Sequence, residues 1–450
     1  MEFDKDLLAR QEARALAKEA YEASQKLVRF SQEQLDNIVE AVARAFSQEA
    51  VLLASLAVKE TGFGNVEDKT TKNLFASNKV AEAVRSMKTV GVLKECKERK
   101  LWEVGVPVGV IAAIVPSTNP TSTVCYKALI ALKAGNAIVF SPHPKALVAT
   151  RKAVQTVAQA AEAAGAPKGS VSCLSIPSLD GCKELMGAKE VRLILATGGP
   201  AMVRSAYSSG KPAIGVGAGN GPAYIHHSAD VSHALQCIRE SKTFDNGTVC
   251  ASEQSIIVER SMEQQVRCEA EKLGFYFMRT EEADRLAGFP VPQNTKVLVA
   301  DEQEAGPTRP YSMEKLCPVL AFFVEEDEEA VLQKAMEVLR HEGSGHTFVI
   351  HARDEEVIRR FGLQIPVSRF LVNTPAALGG IGASTGLFPA LTLGCGAVGG
   401  SSSSNNISPL DLINIRRIAW DSREEKQKSV TVNSDLVDLL AQKIMERLKK

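Results

Sequence analysis

The sequence predicts an α/β protein with parallel sheets, and three observations support this prediction. The length of 450 residues corresponds to two or three domains of roughly 150 residues each. Apolar β-branched runs alternate with helix-like stretches such as 145–165, and they lie at 101–116, 136–140, 191–197 and 222–226. A second alternation has strand-like runs at 254–259, 296–300, 318–325, 346–352 and 369–375. We therefore predict two successive α/β domains, because strands that alternate with helices form parallel sheets.

The segments before and after these alternations have patterns of their own. The first ninety residues carry apolar side chains at helical spacing, as in 35–46, and are predicted to form amphipathic helices. A glycine- and serine-rich stretch occupies 393–406, a strand-like run lies at 412–420, and the polar segment 421–429 is typical of a linker. After the linker, a helix is predicted that Ser434 caps. Its apolar residues recur every four positions, at Leu436, Leu440, Ile444 and Leu448.

The charge balance argues against nucleic-acid and membrane partners. The chain has 53 Lys and Arg against 53 Asp and Glu, so no excess charge attracts a polyanion. The N-terminal residues MEFDKDLLAR lack the apolar core of a signal peptide. The longest apolar stretch, 108–115, is far shorter than the ~18 residues that a membrane span needs. We expect a cytoplasmic protein that binds neither nucleic acid nor a membrane.

One of the nine cysteines has a distinctive setting. Their spacing as a group fits neither a disulfide framework nor a zinc site. His226, His227 and His233 also match no common metal site, so no metal is expected. Cys250 ends a polar, glycine-containing loop directly before the strand-like run 254–259, where its thiol would face a cleft. We predict that Cys250 is a nucleophile and that the other eight are small buried hydrophobic residues.

The loop around Cys250 resembles the nucleophile motif of a known enzyme family. TFDNGTVCASEQ (243–254) is similar to the F-x-N-x-G-x-x-C motif of the aldehyde dehydrogenase family, especially its CoA-acylating branch, although it has one residue fewer. The resemblance runs from about Ala13 to Trp420. It includes the segments 115–123, 140–144, 196–200, 211–220, 313–319 and 392–400. It implies that family's fold, with a Rossmann-type cofactor domain, an α/β catalytic domain and a small oligomerisation element.

Domain boundaries follow from the same resemblance. The NAD-binding domain is expected at 1–98 and 109–229, the catalytic domain at 230–405 and the oligomerisation element at 99–108 and 406–422. Such an element implies a homodimer or a homotetramer. Residues 423–450 remain as a linker and a C-terminal amphipathic helix.

The resemblance also implies a reaction. In this family a cysteine thiolate adds to an aldehyde, and the adduct loses hydride to a nicotinamide and becomes a thioester. Hydrolytic members activate water with a glutamate, but the corresponding segment 215–222 contains no ionisable side chain here. A thiol needs less activation than water, so CoA is expected to take the acyl group and leave as acyl-CoA. Two alternatives remain open: a hydrolytic enzyme that releases the free acid, and a cysteine acyltransferase without a redox step. The expected substrate is a small, unbranched aldehyde.

Two further catalytic residues are implied. The family stabilises the oxyanion with the backbone N–H of the nucleophile and an Asn side chain, for which Asn119 is the expected residue. A gap-free match places Thr118 at that position instead, and Asn119 before Pro120 could also be only a turn former. His346 matches a histidine of acylating members and is expected to assist deprotonation of the CoA thiol. A purely structural histidine is the alternative.

NAD and CoA are the cofactors that the resemblance implies. The expected contacts are Thr118, Ser141, Pro142, Thr197, Gly198, Gly199, Gly217 and Glu314. Residues 191–210 resemble the loop beside the nicotinamide, with a Gly-Gly turn before a helix N-terminus that attracts anions. Glu314 matches the glutamate that bonds the nicotinamide ribose. Ser141 replaces a lysine of hydrolytic members, which leaves the choice between NAD and NADP open. We expect NAD. CoA is expected to use the same adenosine groove after NADH leaves.

The C-terminal segment resembles a targeting signal. A linker followed by a short amphipathic helix is similar to the encapsulation peptides of acylating aldehyde dehydrogenases in bacterial microcompartments. Residues 430–450 are therefore expected to bind shell proteins, which would place the enzyme inside such a compartment within the cytoplasm. Packing of this helix on its own domain is the alternative.

Overall fold

The chain folds into sheets surrounded by helices in the computed structural model, which describes residues 4–279, 288–421 and 434–449. The first helices are α1 (Lys5–Leu27), α2 (Gln32–Gln48), α3 (Ala50–Thr61), α4 (Val66–Leu74), α5 (Val80–Val84), α6 (Pro120–Lys133) and α7 (Leu147–Ala163). The later helices are α8 (Leu179–Gly187), α9 (Pro200–Tyr207), α10 (Val231–Thr243), α11 (Glu263–Lys272), α12 (Glu328–His341), α13 (Glu355–Gln364), α14 (Ala376–Gly380) and α15 (Ser434–Leu448). A π-helical turn at Phe75–Lys79 joins α4 to α5. The amphipathic helices predicted for the first ninety residues are confirmed.

Three sheets are present in the described part of the chain. The first strands are β1 (Gly91–Cys96), β2 (Leu101–Pro107), β3 (Val110–Ile114), β4 (Ala137–Ser141), β5 (Val171–Cys173), β6 (Val191–Thr197), β7 (Ala213–Val216) and β8 (Gly221–Ile225). The later strands are β9 (Glu253–Glu259), β10 (Phe275–Phe277), β11 (Val297–Asp301), β12 (Val319–Glu325), β13 (Gly345–His351), β14 (Val367–Val372) and β15 (Ile413–Ala419). The sheets have the strand orders β5-β4-β3-β6-β7, β10-β11-β12-β9-β8-β13-β14 and β1-β2-β15.

The five-stranded sheet is parallel throughout and has helices on both faces. β3 and β4 are buried along their whole length, as expected for a sheet that is covered on both sides. Alternate residues of β3 face opposite layers: Val110 and Ala112 pack with α1, and Ile111 and Ala113 pack with α6 and α7. All fourteen residues of α6 are buried. The loop before this central helix is therefore held rigidly.

The seven-stranded sheet is also parallel, which confirms the predicted α/β class. Helices α10 and α11 cover the face that carries Ile256 and Val258, and α12 and α13 cover the opposite face with Ile257. One strand departs from the predicted boundary. Residues 109–229 were assigned to the cofactor domain, but β8 pairs with β9 and β13 of this larger sheet. An apolar run predicts that a strand forms, but it does not show which strand it pairs with. The chain passes from the five-stranded to the seven-stranded sheet after Val216, which the run at β8 does not indicate.

The three-stranded sheet is antiparallel, with β2 between β1 and β15. β1 lies outside the predicted oligomerisation segments 99–108 and 406–422, because its pairing with β2 could not be read from its own residues. The rings of Trp102 and Trp420 meet edge to face at 5.1 Å. Ile418 and Trp420 are 41% and 48% exposed, so this sheet presents apolar side chains to solvent.

The C-terminal helix α15 has no buried residue. It is the predicted amphipathic helix, and every residue from Ser434 to Lys449 is exposed. The linker before it lies largely outside the described residues. Within the described ranges no single helix is long and apolar enough to cross a membrane; α2 and α3, bent by 63°, pass that test only as a pair.

Candidate active site

A cavity of about 280 Å³ has Cys250 in its wall. It lies where the carboxyl ends of β3, β6 and β7 meet the loop before β9, the usual place for a ligand beside parallel strands. It brings together eight of the predicted site residues, which are Thr118, Asn119, Thr197, Gly198, Gly199, Gly217, Cys250 and Glu314. Ser141 and Pro142 line an adjoining groove of about 370 Å³. His346 is not among the described residues that line either space.

The loop that carries Cys250 has an unusual backbone. Asp245 and Asn246 both adopt positive φ, at 50° and 54°, a conformation that costs energy for residues other than glycine. Ala251 and the strand β9 after the loop are buried, which anchors the nucleophile from behind. Burial raises the pKa of the Cys250 thiol to about 12, with Glu314 as the next cause. The thiol therefore needs a proton acceptor or a nearby positive charge to react near neutral pH.

A buried cluster of charges holds this loop against α4. The Asp245 carboxylate accepts hydrogen bonds from Lys69 Nζ at 2.9 Å and from Lys72 Nζ, and all three side chains are nearly inaccessible to solvent. These two ammonium groups depress the pKa of Asp245, although its burial opposes them. Asn65 N–H donates to Asp245 Oδ1 at 3.0 Å. A Cβ on Gly64 would lie 1.7 Å from that same oxygen, so only glycine fits beside the cluster.

Sequence reasoning did not find this cluster. Lys69 and Lys72 lie more than 170 positions before Asp245, and two lysines on a helix are usually solvent-exposed. Their spacing of three residues, which puts both on one helix face, is the signal that was available. The pattern of charges in the sequence does not show that both lysines are buried, because burial depends on the fold. Lys72 is the member of the cluster that also lines the cavity.

The side chain of Asn119 is held by two partners. It lies at the N-cap position of α6, accepts a hydrogen bond from Lys72 Nζ at 2.8 Å and donates from Nδ2 to the Thr248 carbonyl oxygen at 3.0 Å. The second Nδ2 hydrogen has no partner among the described residues. Thr118 lines the same cavity, and its carbonyl oxygen accepts from Lys69 Nζ at 2.7 Å. Asn119 Nδ2 therefore keeps one hydrogen that can be donated into the cavity, and its role as the oxyanion donor stays a prediction.

Glu314 adds an ionisable group that the sequence analysis did not count near the thiol. Its Oε1 accepts a hydrogen bond from Gly219 N–H at 2.8 Å, and burial raises its pKa to about 7. A Cβ on Gly219 would lie 2.0 Å from the Cys250 carbonyl oxygen, so only glycine allows this close approach. Because the Gly219 N–H also bonds Glu314, the glycine brings Glu314 close to Cys250. The segment 215–222 indeed lacks an ionisable side chain, but the cavity does not. The ionisable group nearest the thiol is therefore Glu314, which was predicted as a cofactor contact, and not a residue of the segment 215–222.

His346 lies behind the cavity wall at the start of β13. It is fully buried, and its Nδ1 pairs with Thr347 Oγ1 at 2.9 Å while its Nε2 has no partner within the described part of the chain. Its Cε1 would lie 3.3 Å from a Cβ on Gly219. Burial lowers the pKa of His346 to about 3, so the ring is neutral at physiological pH. Its role with the CoA thiol stays a prediction.

The groove beside the cavity has features that fit a dinucleotide. A Cβ on Gly199 or Gly217 would meet no atom within 4 Å, so ligand atoms can approach the backbone at both positions. Thr197 Oγ1 is buried and has no hydrogen-bond partner among the residues that the structure describes. Pro200 begins α9, whose N-terminus points its free N–H groups toward this turn and favours phosphate.

A possible cation-binding group lies away from this cavity. The ligand atoms of His226, His227 and Glu328 lie within 4.8 Å of one another. His226 Nδ1 and Nε2 already pair with Ser228 at 2.8 Å and Glu328 at 3.0 Å. Hydrogen bonds within the protein therefore account for this contact.

Comparison with known proteins identifies relatives over nearly the whole chain. A sequence model of the aldehyde dehydrogenase family matches residues 6–273. The bifunctional aldehyde-alcohol dehydrogenase AdhE of Escherichia coli is 42% identical over 91% of this chain, and the chain spans 49% of that protein's length. The acetylating succinate-semialdehyde dehydrogenase of Clostridium kluyveri is 36% identical, with 92% of this chain and 97% of the relative covered.

Solved structures give the same assignment. An acetylating aldehyde dehydrogenase from Geobacillus thermoglucosidasius is 46% identical, with a TM-score of 0.90 over 94% of this chain and 99% of that one. A propionaldehyde dehydrogenase of Rhodopseudomonas palustris with bound CoA and an acylated cysteine is 25% identical, with a TM-score of 0.80 over 91% and 97%. One from a Clostridium phytofermentans microcompartment is 26% identical, with a TM-score of 0.81 over 90% and 96%. The chain thus belongs to the aldehyde dehydrogenase family, in its CoA-acylating branch.

Proposed function

We propose that this protein converts a small aldehyde, NAD and CoA into acyl-CoA and NADH, with Cys250 as the nucleophile. The observation that carries the proposal is the cavity that joins Cys250 to Asn119, Glu314 and the Thr197–Gly199 turn. The relatives support it, because they include acetylating dehydrogenases and a propionaldehyde dehydrogenase with bound CoA and an acylated cysteine. The proposed reaction is reversible. AdhE is about twice as long as this chain, and the proposal does not include the alcohol dehydrogenase activity in its name.

Cys250 carries the covalent chemistry. Its thiolate sulfur bonds to the aldehyde carbon, and the carbonyl oxygen becomes an oxyanion that the Cys250 N–H and Asn119 Nδ2 stabilise. Bound NAD accepts the hydride that leaves this carbon, and bound CoA supplies the thiol that takes the acyl group. When the thiol of CoA bonds to the acyl carbon, the carbon–sulfur bond to Cys250 breaks and the thiolate returns. The proton of each thiol must leave to an acceptor in the cavity.

Glu314 and His346 differ sharply as proton acceptors. The Glu314 carboxyl has a pKa of about 7, and therefore takes up a proton readily near neutral pH. The pKa of His346 is only about 3, and its ring lies behind the wall. Glu314 is therefore the better acceptor for the Cys250 proton before NAD enters. Glu314 releases this proton to solvent before NAD enters, and its carboxylate then bonds the nicotinamide ribose, the role that the family pattern gives it.

Water competes with CoA for the thioester, because Glu314 could also activate a water molecule. The proposal assigns acyl-CoA as the product, since a thiol reacts faster than water under the same assistance. The hydrolytic alternative keeps one specific observation in its favour, the pKa of about 7 of Glu314. The acyltransferase alternative leaves the groove at Thr197–Gly199 without a purpose.

Small neutral aldehydes are the proposed substrates. Lys72 is a cation in the cavity wall, which the sequence analysis had not expected. However, its three N–H groups all bond protein atoms, namely Asn119 Oδ1, Asp245 Oδ2 and the Thr248 carbonyl oxygen. It therefore has no donor left for the carboxylate or sulfonate of a charged aldehyde. Acetaldehyde and propionaldehyde rank above succinate semialdehyde and sulfoacetaldehyde.

Product analysis with the purified protein tests the function. We expect NADH absorbance to rise with acetaldehyde or propionaldehyde and NAD only after free CoA is added, and mass spectrometry to detect the acyl-CoA. Cys250→Ala is expected to abolish NADH formation, whereas Cys125→Ala, a buried cysteine of α6, retains it. Free acid as the main product, or equal rates without CoA, would contradict the proposal. A parallel series with NADP decides between the two dinucleotides.

Assembly and location are proposed from the exposed apolar surfaces. The edge of the β1-β2-β15 sheet pairs with a second copy to form a dimer or tetramer, which is supported by the exposure of Ile418 and Trp420. Residues 430–450 bind shell proteins of a microcompartment in the cytoplasm. The exposed apolar residues of α15 support this, namely Leu436, Val437, Leu439, Leu440, Ile444, Met445 and Leu448. A relative whose structure comes from a microcompartment adds support.

A further inference from the structure

We propose that Lys72 is a positioning residue for the reaction at Cys250, because its ammonium group fixes the Asn119 side chain and places a positive charge in the cavity wall. The proposal rests on the proposed function for its kinetic part. Lys72 bonds the cavity residue Asn119 at 2.8 Å and the Thr248 carbonyl oxygen at 3.2 Å, two residues before the nucleophile. It thus contacts both the expected oxyanion donor and the nucleophile loop.

The orientation of the Asn119 amide depends on Lys72. An amide side chain can turn over and exchange its oxygen and nitrogen, and the hydrogen-bond partners decide which way it faces. Lys72 has only donors, so it accepts nothing and must face the amide oxygen. The amide nitrogen then lies toward the Thr248 carbonyl oxygen, with its second hydrogen available for an oxyanion. Without Lys72, the oxygen could turn toward the developing negative charge and repel it.

The charge of Lys72 faces the cavity although the cluster is neutral as a whole. Lys69 and Lys72 are balanced by Asp245 and Asp68, whose carboxylate accepts from the Asp245 N–H at 2.7 Å. Among these four side chains, Lys72 is the one that lines the cavity. The charge of this cluster that faces the Cys250 sulfur across the cavity is therefore the positive charge of Lys72. A buried charge of this kind favours both the thiolate and the oxyanion.

Alkylation of Cys250 by iodoacetamide tests the charge without any substrate. In Lys72→Met the rate at a fixed pH of about 7, at which Lys72 is mostly protonated, is expected to fall about tenfold, because the pKa of the thiol rises by about one unit. Lys72→Arg keeps the charge and should recover most of the rate. Modification of Cys250 is followed by peptide mass spectrometry over a range of pH. An unchanged pH profile in Lys72→Met, in a protein that remains folded by circular dichroism, would overturn the electrostatic part.

A double-mutant cycle tests the positioning of Asn119. Lys72→Met and Asn119→Ala should each lower kcat/KM for the aldehyde about 10²-fold, and the double variant should be slower than Asn119→Ala alone only by the about tenfold that the lost charge causes at the thiol. Lys69→Met is the matched control, because Lys69 bonds the same carboxylate but neither contacts Asn119 nor lines the cavity. In the double variant Lys69→Met with Asn119→Ala, the loss of kcat/KM should therefore equal the product of the two single losses. Multiplying effects of Lys72→Met and Asn119→Ala would refute the positioning role.

The two proposals can fail separately. If the unmodified protein shows no CoA-dependent oxidation of aldehydes, the proposed function is wrong, while the alkylation profile still decides whether Lys72 acts on Cys250. If turnover is present but both Lys72 readouts are unchanged, only the inference about Lys72 is wrong.

Discussion

At the scale of single residues, the reactivity of Cys250 depends on charges outside the loop that carries it. Glu314 raises the pKa of the thiol, and Arg369 and Lys72 lower it, although burial is the largest effect. Arg369 is itself buried and donates to the Gly394 carbonyl oxygen at 2.8 Å. The thiol therefore lies between one acidic and two basic side chains that belong to three distant segments. Its tendency to ionise is a property of the assembled site.

Replacing Glu314 by Gln tests the role of this carboxylate in cofactor binding. The raised pKa of about 7 means that the carboxylate form is gained as pH rises through neutrality. The KM for NAD in the unmodified protein should therefore fall between pH 6 and pH 8. In Glu314→Gln it should be about tenfold higher and nearly independent of pH, because a charged hydrogen bond to the ribose is lost. The measurement is NADH formation at varied NAD.

The control for this experiment is Glu302→Gln. Glu302 also has a raised pKa, caused by burial, but it does not line the cavity. Its variant should keep the pH dependence of the KM for NAD. If the KM for NAD of Glu314→Gln shows the same pH dependence as that of the unmodified protein, a group other than Glu314 binds the ribose.

At the scale of secondary structure, β9 combines rigidity with a buried acid. Glu253 begins this strand and is fully buried. Its Oε1 accepts a hydrogen bond from Ala376 N–H at 2.9 Å, and its Oε2 has no partner in the described ranges. Burial raises its pKa to about 7. Through Ala376, Glu253 links the nucleophile loop to α14. The contact between Glu253 and Ala376 therefore joins two structural elements, and its strength depends on whether the Glu253 carboxyl is protonated.

The stability of the protein should depend on pH through Glu253. Its folded-state pKa lies above the ordinary value of 4.5, so its contribution is fully present below pH 4.5 and is lost as pH rises through about 7. In Glu253→Gln this dependence should disappear, and the difference in unfolding free energy between the two proteins should change by about 3 kcal/mol between pH 4.5 and pH 8. Urea unfolding at several pH values measures it. A constant difference would show that Glu253 does not titrate in this window.

The edge strand β15 is the element on which assembly is predicted to depend. An unpaired edge with exposed apolar side chains favours pairing with another chain. Ile418→Lys should shift the protein from dimer or tetramer toward monomer, as measured by light scattering after size exclusion. Leu363→Lys, at a residue of α13 that is 79% exposed, is the control and should leave the assembly unchanged. A monomeric unmodified protein would refute this prediction directly.

At the scale of the whole molecule, α15 stands apart from the catalytic fold. None of its residues is buried, whereas the sheets and their helices share four large apolar clusters within the described residues. Seven exposed apolar side chains on one short helix need a partner. The observation favours binding to another protein over packing on its own domain, which was the alternative from the sequence.

Deleting residues 430–450 tests that partner. We expect the shortened protein to keep its CoA-dependent activity within about twofold and to lose co-purification with shell proteins. Leu440→Glu with Ile444→Glu should have the same effect on binding, because two charges disrupt the apolar face. Gln442→Ala on the same helix is the control. Unchanged association with the shell would eliminate the targeting role, and loss of activity would indicate that α15 supports the catalytic fold.

Local patterns in the sequence were sufficient for much of the fold. Periodic apolar runs predicted the alternating strands and helices, and the loop 243–254 singled out Cys250, because each signal lies within a few neighbouring residues. Pairing was harder to predict. The run at β8 predicted a strand within the segment 109–229, but this strand pairs with β9 and β13 of the seven-stranded sheet. β1, which pairs with β2, was not among the predicted strands. The partner of a strand depends on where the chain turns, which the run itself does not encode.

By itself, the sequence determined the α/β class, the family and the glycine turn after β6, and it singled out Cys250 as the proposed nucleophile. Only the tertiary structure decided the electrostatics around the sulfur. Lys72 reaches Asp245 across 173 positions, and Glu314 meets Gly219 across 95. Burial removes these side chains from water and shifts their pKa values, and no local pattern records which polar groups the fold will bury. Charge positions in the cavity follow from long-range packing for that reason.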